Sequence, residues 1–317
     1  MANAPRAIVY SSRALSAASE PHSSASSAGD ARLASMSLLV SATLFAIMAL
    51  LARLVSRTIP GAQVALVRFS LGTAVVLGAW LLFRVELRPH RWGWLVARGI
   101  FGGGAVSLYF VCIEHLGVGR ATLLNYTSPV WALIFGRVLL GEKPRGHVTP
   151  ALLLTLVGVA LIVGHRAGGW GLGAWDLVAI FSSVLSGLAV TSIRAVRRPL
   201  EHGPPIESFW SVFASFTFLG AVATLPTVLQ PFGQWIAPTP REWLILLAMG
   251  FTSIWAQIIM TRALKHVTAP AMGIIHQITV VLSVLGGIIF FGEAMTVQSG
   301  VGSILTVVGV LWVVCLE

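Results

Sequence analysis

The chain has 317 residues, 56% of them hydrophobic and only 10% charged, with a formal net charge of +10 and a mean hydropathy of +0.86. Soluble domains carry about 25% charged residues. A water-soluble fold of this length is therefore excluded, and the expected solvent is lipid.

In chain order, residues 1–35 come first, polar and rich in Ser and Ala. They cannot bury a core and are expected as a disordered cytoplasmic tail, or as residues ahead of a true start at Met36. Ten apolar runs follow, at 36–55, 62–83, 92–114, 120–139, 149–165, 174–194, 207–229, 241–262, 269–291 and 299–316. About 20 apolar residues cross a bilayer as a helix, and a lipid-exposed backbone must satisfy its own hydrogen bonds. The alternation of a β-barrel is absent.

With the N-terminus in the cytoplasm, the cytoplasmic segments hold 14 of the Lys and Arg residues and the outer ones 5, namely Arg53, Arg57, Arg120, Arg166 and Arg241. That asymmetry follows the positive-inside rule. The basic charge reports topology and argues against a nucleic-acid partner. Cys112 and Cys315 both fall in apolar runs, which suits neither a disulfide framework nor a zinc site.

The stretch "LLGEKPRGHVTPALLLTLVGV" at 139–159 returns as "FFGEAMTVQSGVGSILTVVGV" at 290–310. An offset of 151 residues pairs Glu142 with Glu293, Thr155 with Thr306 and Gly158 with Gly309. The chain divides into halves of five helices, 36–166 and 174–316. Five is odd, so the second half enters the membrane from the opposite side. Inverted repeats of this kind mark transporters, where exchanging the conformations of the halves opens the molecule to alternate sides.

Ten helices, two five-helix repeats, Gly-Glu closing the fourth helix of each, Arg68 in "VRFSLG" and "LYFVCIEHLGVGRATLLNYTSPV" at 108–130 resemble the drug/metabolite transporter superfamily, EamA type. The resemblance implies an all-α integral membrane protein with a central cavity between the halves, lined mainly by the first to fourth and sixth to ninth helices. It implies peripheral fifth and tenth helices that can support a homodimer, and a small-molecule substrate, often moved outward. The second repeat has Thr279-Val280 where the family often has Glu-Pro, so chemistry tied to that pair is not carried over.

Ionisable groups inside lipid are functional candidates by default. Arg68 is the candidate anchor for an acidic group, against snorkelling to the headgroups; for Arg98 snorkelling is the expectation. Asn125 and His276 occupy equivalent positions in the repeats, each on a face of small or polar residues. His276, beside Gln277, could titrate near neutral pH and couple protons to transport, or be a neutral packed histidine. Tyr109, Tyr126, Trp255 and Gln257 complete the cavity candidates. Gly102, Gly103 and Gly104 are expected to allow close helix packing. Glu142 and Glu293 are expected to anchor loops.

The expectation is a non-enzymatic secondary transporter without cofactor. It would move a small polar metabolite, amino acid or drug-like solute outward by alternating access, driven by a proton gradient or an exchange partner. It would sit in the bacterial inner (plasma) membrane, multi-pass, with both termini cytoplasmic. The alternatives are a membrane receptor or scaffold, or a membrane enzyme.

Overall fold

The structure is a computed structural model. It describes residues 21–56, 58–143, 145–164, 173–200, 204–229, 233, 235–291 and 297–316. The first twenty residues, Arg57, Arg166 and Glu293 lie outside the described residues, as does the side chain of Arg120.

The described residues form helices and no strand: α1 (Pro21–Val55), α2 (Gly61–Phe83), α3 (Trp92–Asn125), α4 (Ser128–Leu140), α5 (Val148–Gly164), α6 (Ala174–Arg197), α7 (Phe209–Thr224), α8 (Pro240–Ala263), α9 (Ala269–His276), α10 (Ile278–Phe291) and α11 (Val297–Leu316). Seven spans are long and apolar enough to cross a membrane, and Ser128–Leu140, Val148–Leu161 and Gly300–Leu316 are shorter apolar helices. Exposed Leu, Val, Ile, Phe and Trp side chains cover the outside, as a lipid-facing surface requires.

Three differences from the sequence expectation have physical causes. First, α1 is already helical where the described residues start, at Pro21, so residues 21–35 of the expected tail are helix. Ala31, Ala34 and Ser35 are small enough to be buried against neighbouring helices. Second, α3 runs through the expected break between the third and fourth helices, yet it folds back on itself. The Ser182 hydroxyl donates to the Ala105 carbonyl at 2.8 Å and accepts from Asn125 Nδ2 at 3.0 Å. A straight helix would hold residues 105 and 125 about 30 Å apart. Cys112 and Ala121 cluster together with Ala179, so the reversal lies between them. Third, the fourth and ninth expected helices are each interrupted, after Asn125 and after His276. These positions are 151 residues apart.

The packing obeys a two-fold exchange of the halves. Helix α1 packs on α8 as α6 packs on α3, and α4 packs on α6 as α10 packs on α1; α2 meets α7 and α5 meets α11. The exchange reaches single atoms. Ser41 Oγ donates to the Ala256 carbonyl at 2.7 Å, matching the Ser182–Ala105 bond, and Ala105 and Ala256 are 151 residues apart. Ser41 and Ser182, however, are 141 apart. The sequence offset therefore holds for the later helices of each repeat, and the interval after the first helix is ten residues longer in the second repeat.

The repeated Thr-x-Val-Gly-Val packs on its own copy. A Cβ on Gly158 would meet Thr306 Oγ1 and, at 2.6 Å, the Gly302 carbonyl; one on Gly309 would meet Thr155 Cγ2 at 2.5 Å and the Ala151 carbonyl at 3.1 Å. Two glycines thus let α5 and α11 approach closely across the pseudo-two-fold.

Candidate functional site

A cavity of about 250 Å³ lies between the halves, lined from α1, α2, α3, α4, α6, α7, α8, α9 and α10. Six of the sequence candidates line it: Arg68, Tyr109, Asn125, Tyr126, Gln257 and His276. Two do not. Trp255 is 58% exposed on the outside of α8, because its neighbours Ile254 and Ala256 take the buried faces. Gln277 is fully buried at the interruption between α9 and α10, and neither its Oε1 nor its Nε2 has a partner among the described residues.

Arg98 is the main correction. It does not reach for the headgroups; it is 4% exposed and lines the cavity. Its Cζ lies 3.9 Å from the centre of the Phe216 ring, and that of Arg68 lies 5.8 Å from the same ring. Arg98 turns inward because Gly102 lies one helical turn on, and the guanidinium rests where a Cβ would be. The sequence held this signal in the Arg-x-x-x-Gly spacing, read there only as helix packing. The other two glycines do pack: Gly103 meets the Gly220 Cα, and Gly104 faces Leu185.

Arg68 Nε donates to Ser253 Oγ at 2.5 Å. Arg98 has no hydrogen bond or ion pair among the described residues, and its Nε is buried without a partner. No Asp or Glu is among the described lining residues. Phe45, Met48, Phe110 and Met272 supply apolar wall. His276 meets the Phe45 ring edge-on at 5.6 Å, and its Nε2 and the Gln257 Nε2 lack partners among the described residues. Buried polar atoms are nearly always bonded, so this cluster marks a place built for something other than the chain's own side chains.

Both helix interruptions border the cavity. Thr127 closes a turn onto the Leu124 carbonyl at 3.3 Å and Gln277 onto the Ile274 carbonyl at 3.0 Å. Pro129, which cannot donate a backbone hydrogen bond, accounts for the first. The second has Val280 at the matching position and no proline.

The cavity lining runs along α1 from Phe45 and on to Ser56, just past its C-terminal end, and Ser56 is exposed. The opposite end of the molecule is tied shut between the halves. Gly141 ends α4 with φ +65°, a left-handed cap that glycine adopts without a Cβ penalty. It delivers Glu142, whose Oε1 accepts from Arg194 Nε at 2.7 Å. Arg194 also donates to the carbonyls of Leu264 and Lys265 at 3.0 and 2.9 Å, and Arg198 to the Leu140 carbonyl at 2.7 Å. Arg91 joins the same end by donating to the carbonyls of Ala195 and Pro204, both at 2.6 Å. Burial, largely, pushes the Arg91 guanidinium below its usual pKa. Glu142 thus anchors, as expected, and lies outside the cavity lining.

Comparison with known proteins adds identity to geometry. A model of the EamA-like transporter family matches residues 32–164 and again 173–315. The pseudopaline exporter of Pseudomonas aeruginosa is 30% identical over 264 residues, 81% of this chain and 88% of that protein. The aromatic amino acid exporter of Ancylobacter novellus is 29% identical over 57% of this chain and 62% of its own. A riboflavin transporter of Brucella anthropi is 25% identical over 74% and 81%. A solved crystal structure shares the fold with a TM-score of 0.74 at 22% identity, over 90% of this chain and 99% of that one.

Proposed function

Because the chain belongs to the EamA-like transporter family, we propose that it is a secondary transporter that exports a small acidic solute by alternating access through the cavity between its halves. The observation that carries this is the cavity itself, bounded by both halves and by two interrupted helices, with Arg68 and Arg98 turned into it. Interrupted helices at the interface of inverted repeats are where transporters bind substrate. Two relatives named as exporters support the outward direction.

In this reading the state described is open toward the end of α1 next to Ser56 and closed at the end carrying Glu142 and Arg194. With the N-terminus in the cytoplasm, that is an outward-facing state. Arg68, held by Ser253, is the anchor for the acidic group. His276, deep against Phe45, is the site of proton coupling.

The test is substrate-panel counterflow in proteoliposomes, with and without an imposed pH gradient. Saturable counterflow of an acidic solute is expected, with dependence on the gradient that His276→Gln removes. Folded protein that exchanges nothing in the panel would count against transport. A pH response that His276→Gln leaves intact would remove the histidine from coupling while leaving transport in place.

A further inference from the structure

Arg98 contributes a second cation that the family likeness does not explain. Two guanidinium groups approach one aromatic ring, Phe216, from α2 and α3. A third arginine, Arg53, stands at the wall nearer the opening. The other titratable groups on the described lining are Tyr109, Tyr126 and His276, and none of these is an acid that ionises below neutral pH. A buried cation without a counter-charge is costly in lipid, and two like charges near each other add to that cost.

The ways to offset the cost differ for the two arginines. Arg68 already gives its Nε to Ser253 and presents the rest of its fork. Arg98 gives nothing to the described chain. Its Cζ lies over the Phe216 ring, and its Nε is buried with no hydrogen-bond partner among the described residues, so its donors remain for a ligand. A planar guanidinium fork fits a carboxylate or phosphate with two parallel hydrogen bonds. The volume, about 250 Å³, admits a small molecule that reaches both forks.

We infer that the cavity takes a solute bearing two acidic groups, one held by Arg68 and the other by Arg98, with the apolar wall of Phe45, Met48 and Met272 receiving its carbon skeleton. The inference rests on the proposed reading of this cavity as the substrate site. Monocarboxylates engage one fork and leave the other unpaired, and cations are repelled.

The experiment is a binding titration of the detergent-purified full chain with three four-carbon probes: succinate, butyrate and 1,4-diaminobutane. Succinate is expected to bind saturably and about tenfold or more tighter than butyrate, the worth of a second charge-assisted contact. The diamine is expected neither to bind nor to compete. Arg98→Gln should bring succinate down to the butyrate level. It is scored only on material eluting as the native species. If it yields none, Arg98→Lys takes its place, with the same loss of preference expected from the lost fork. Succinate no tighter than butyrate, or a preference that survives at Arg98, overturns the inference. Tight succinate binding without succinate counterflow would keep the two-acid site and sink the transport reading.

Discussion

Arg98 owes its position to the residue one turn on. A Cβ at residue 102 would occupy the space of the Arg98 guanidinium and come within 3.0 Å of Phe216. Gly102→Ala is therefore expected to displace the arginine head without unfolding the helix, since the clash is with the free end of a long side chain. Transport should fall to the level of Arg98→Gln while the folded yield holds; transport at the wild-type level would show that the head need not rest there. Arg68→Lys tests the other cation. Lysine keeps the charge but loses the planar fork and the Nε bond to Ser253, so transport should drop in well-folded protein. A silent lysine would assign Arg68 a role of charge alone. Trp255, exposed on α8, should tolerate leucine with a stability change within about 0.5 kcal/mol and no change in transport, read by thermal melting and counterflow.

At the scale of elements, the contact between α5 and α11 is where the repeat meets itself. Gly158 and Gly309 sit in equivalent surroundings, so valine at either should cost a similar amount, about 1–3 kcal/mol of overpacking. Because the two sites share Thr155, Thr306 and the backbone between them, the double substitution should cost less than the sum of the singles. Thermal melting of the purified variants measures both, and markedly unequal single effects would break the pseudo-symmetry argument. The glycines and threonines were legible in the sequence because a repeat preserves spacing. So were the helical spans, since a run of apolar residues needs only its length to cross a membrane. The sense in which α3 doubles back depends on Ser182 meeting both Ala105 and Asn125, contacts between residues far apart in the chain that no local pattern encodes. Trp255 was misread for a similar reason: on a helix with apolar residues all round, period alone does not say which face meets lipid. Arg98 was misread because depth suggested snorkelling, and the decisive fact was the missing side chain at Gly102.

For the whole molecule, the two ends of the cavity are unequal, and the difference is carried by few bonds. At the Arg-rich end the halves are joined through Glu142 and Arg194 at 2.7 Å, both partly buried, with carbonyls of α4 and of the turn after α8 as further acceptors. A buried pair that loses one partner leaves the other charge uncompensated, at about 3–5 kcal/mol. Glu142→Gln should therefore destabilise the closed arrangement of this end relative to one open there, shifting the population without touching the cavity lining. Ala189 of α6 lines the cavity and is buried, about a turn and a half from Arg194 along the helix. Cysteine at 189, in a background with Cys112 and Cys315 replaced, reports access from that end. A membrane-impermeant thiol reagent applied to the face bearing Glu142 should label it slowly in the parent and several-fold faster with Glu142→Gln, because labelling follows the population of the open form. Labelling from the opposite face should fall in the same variant, since one molecule cannot favour both openings at once. A rise from both faces would mean loosening of the fold, and no change from either would mean that the Glu142–Arg194 pair ties a loop and does not hold a gate.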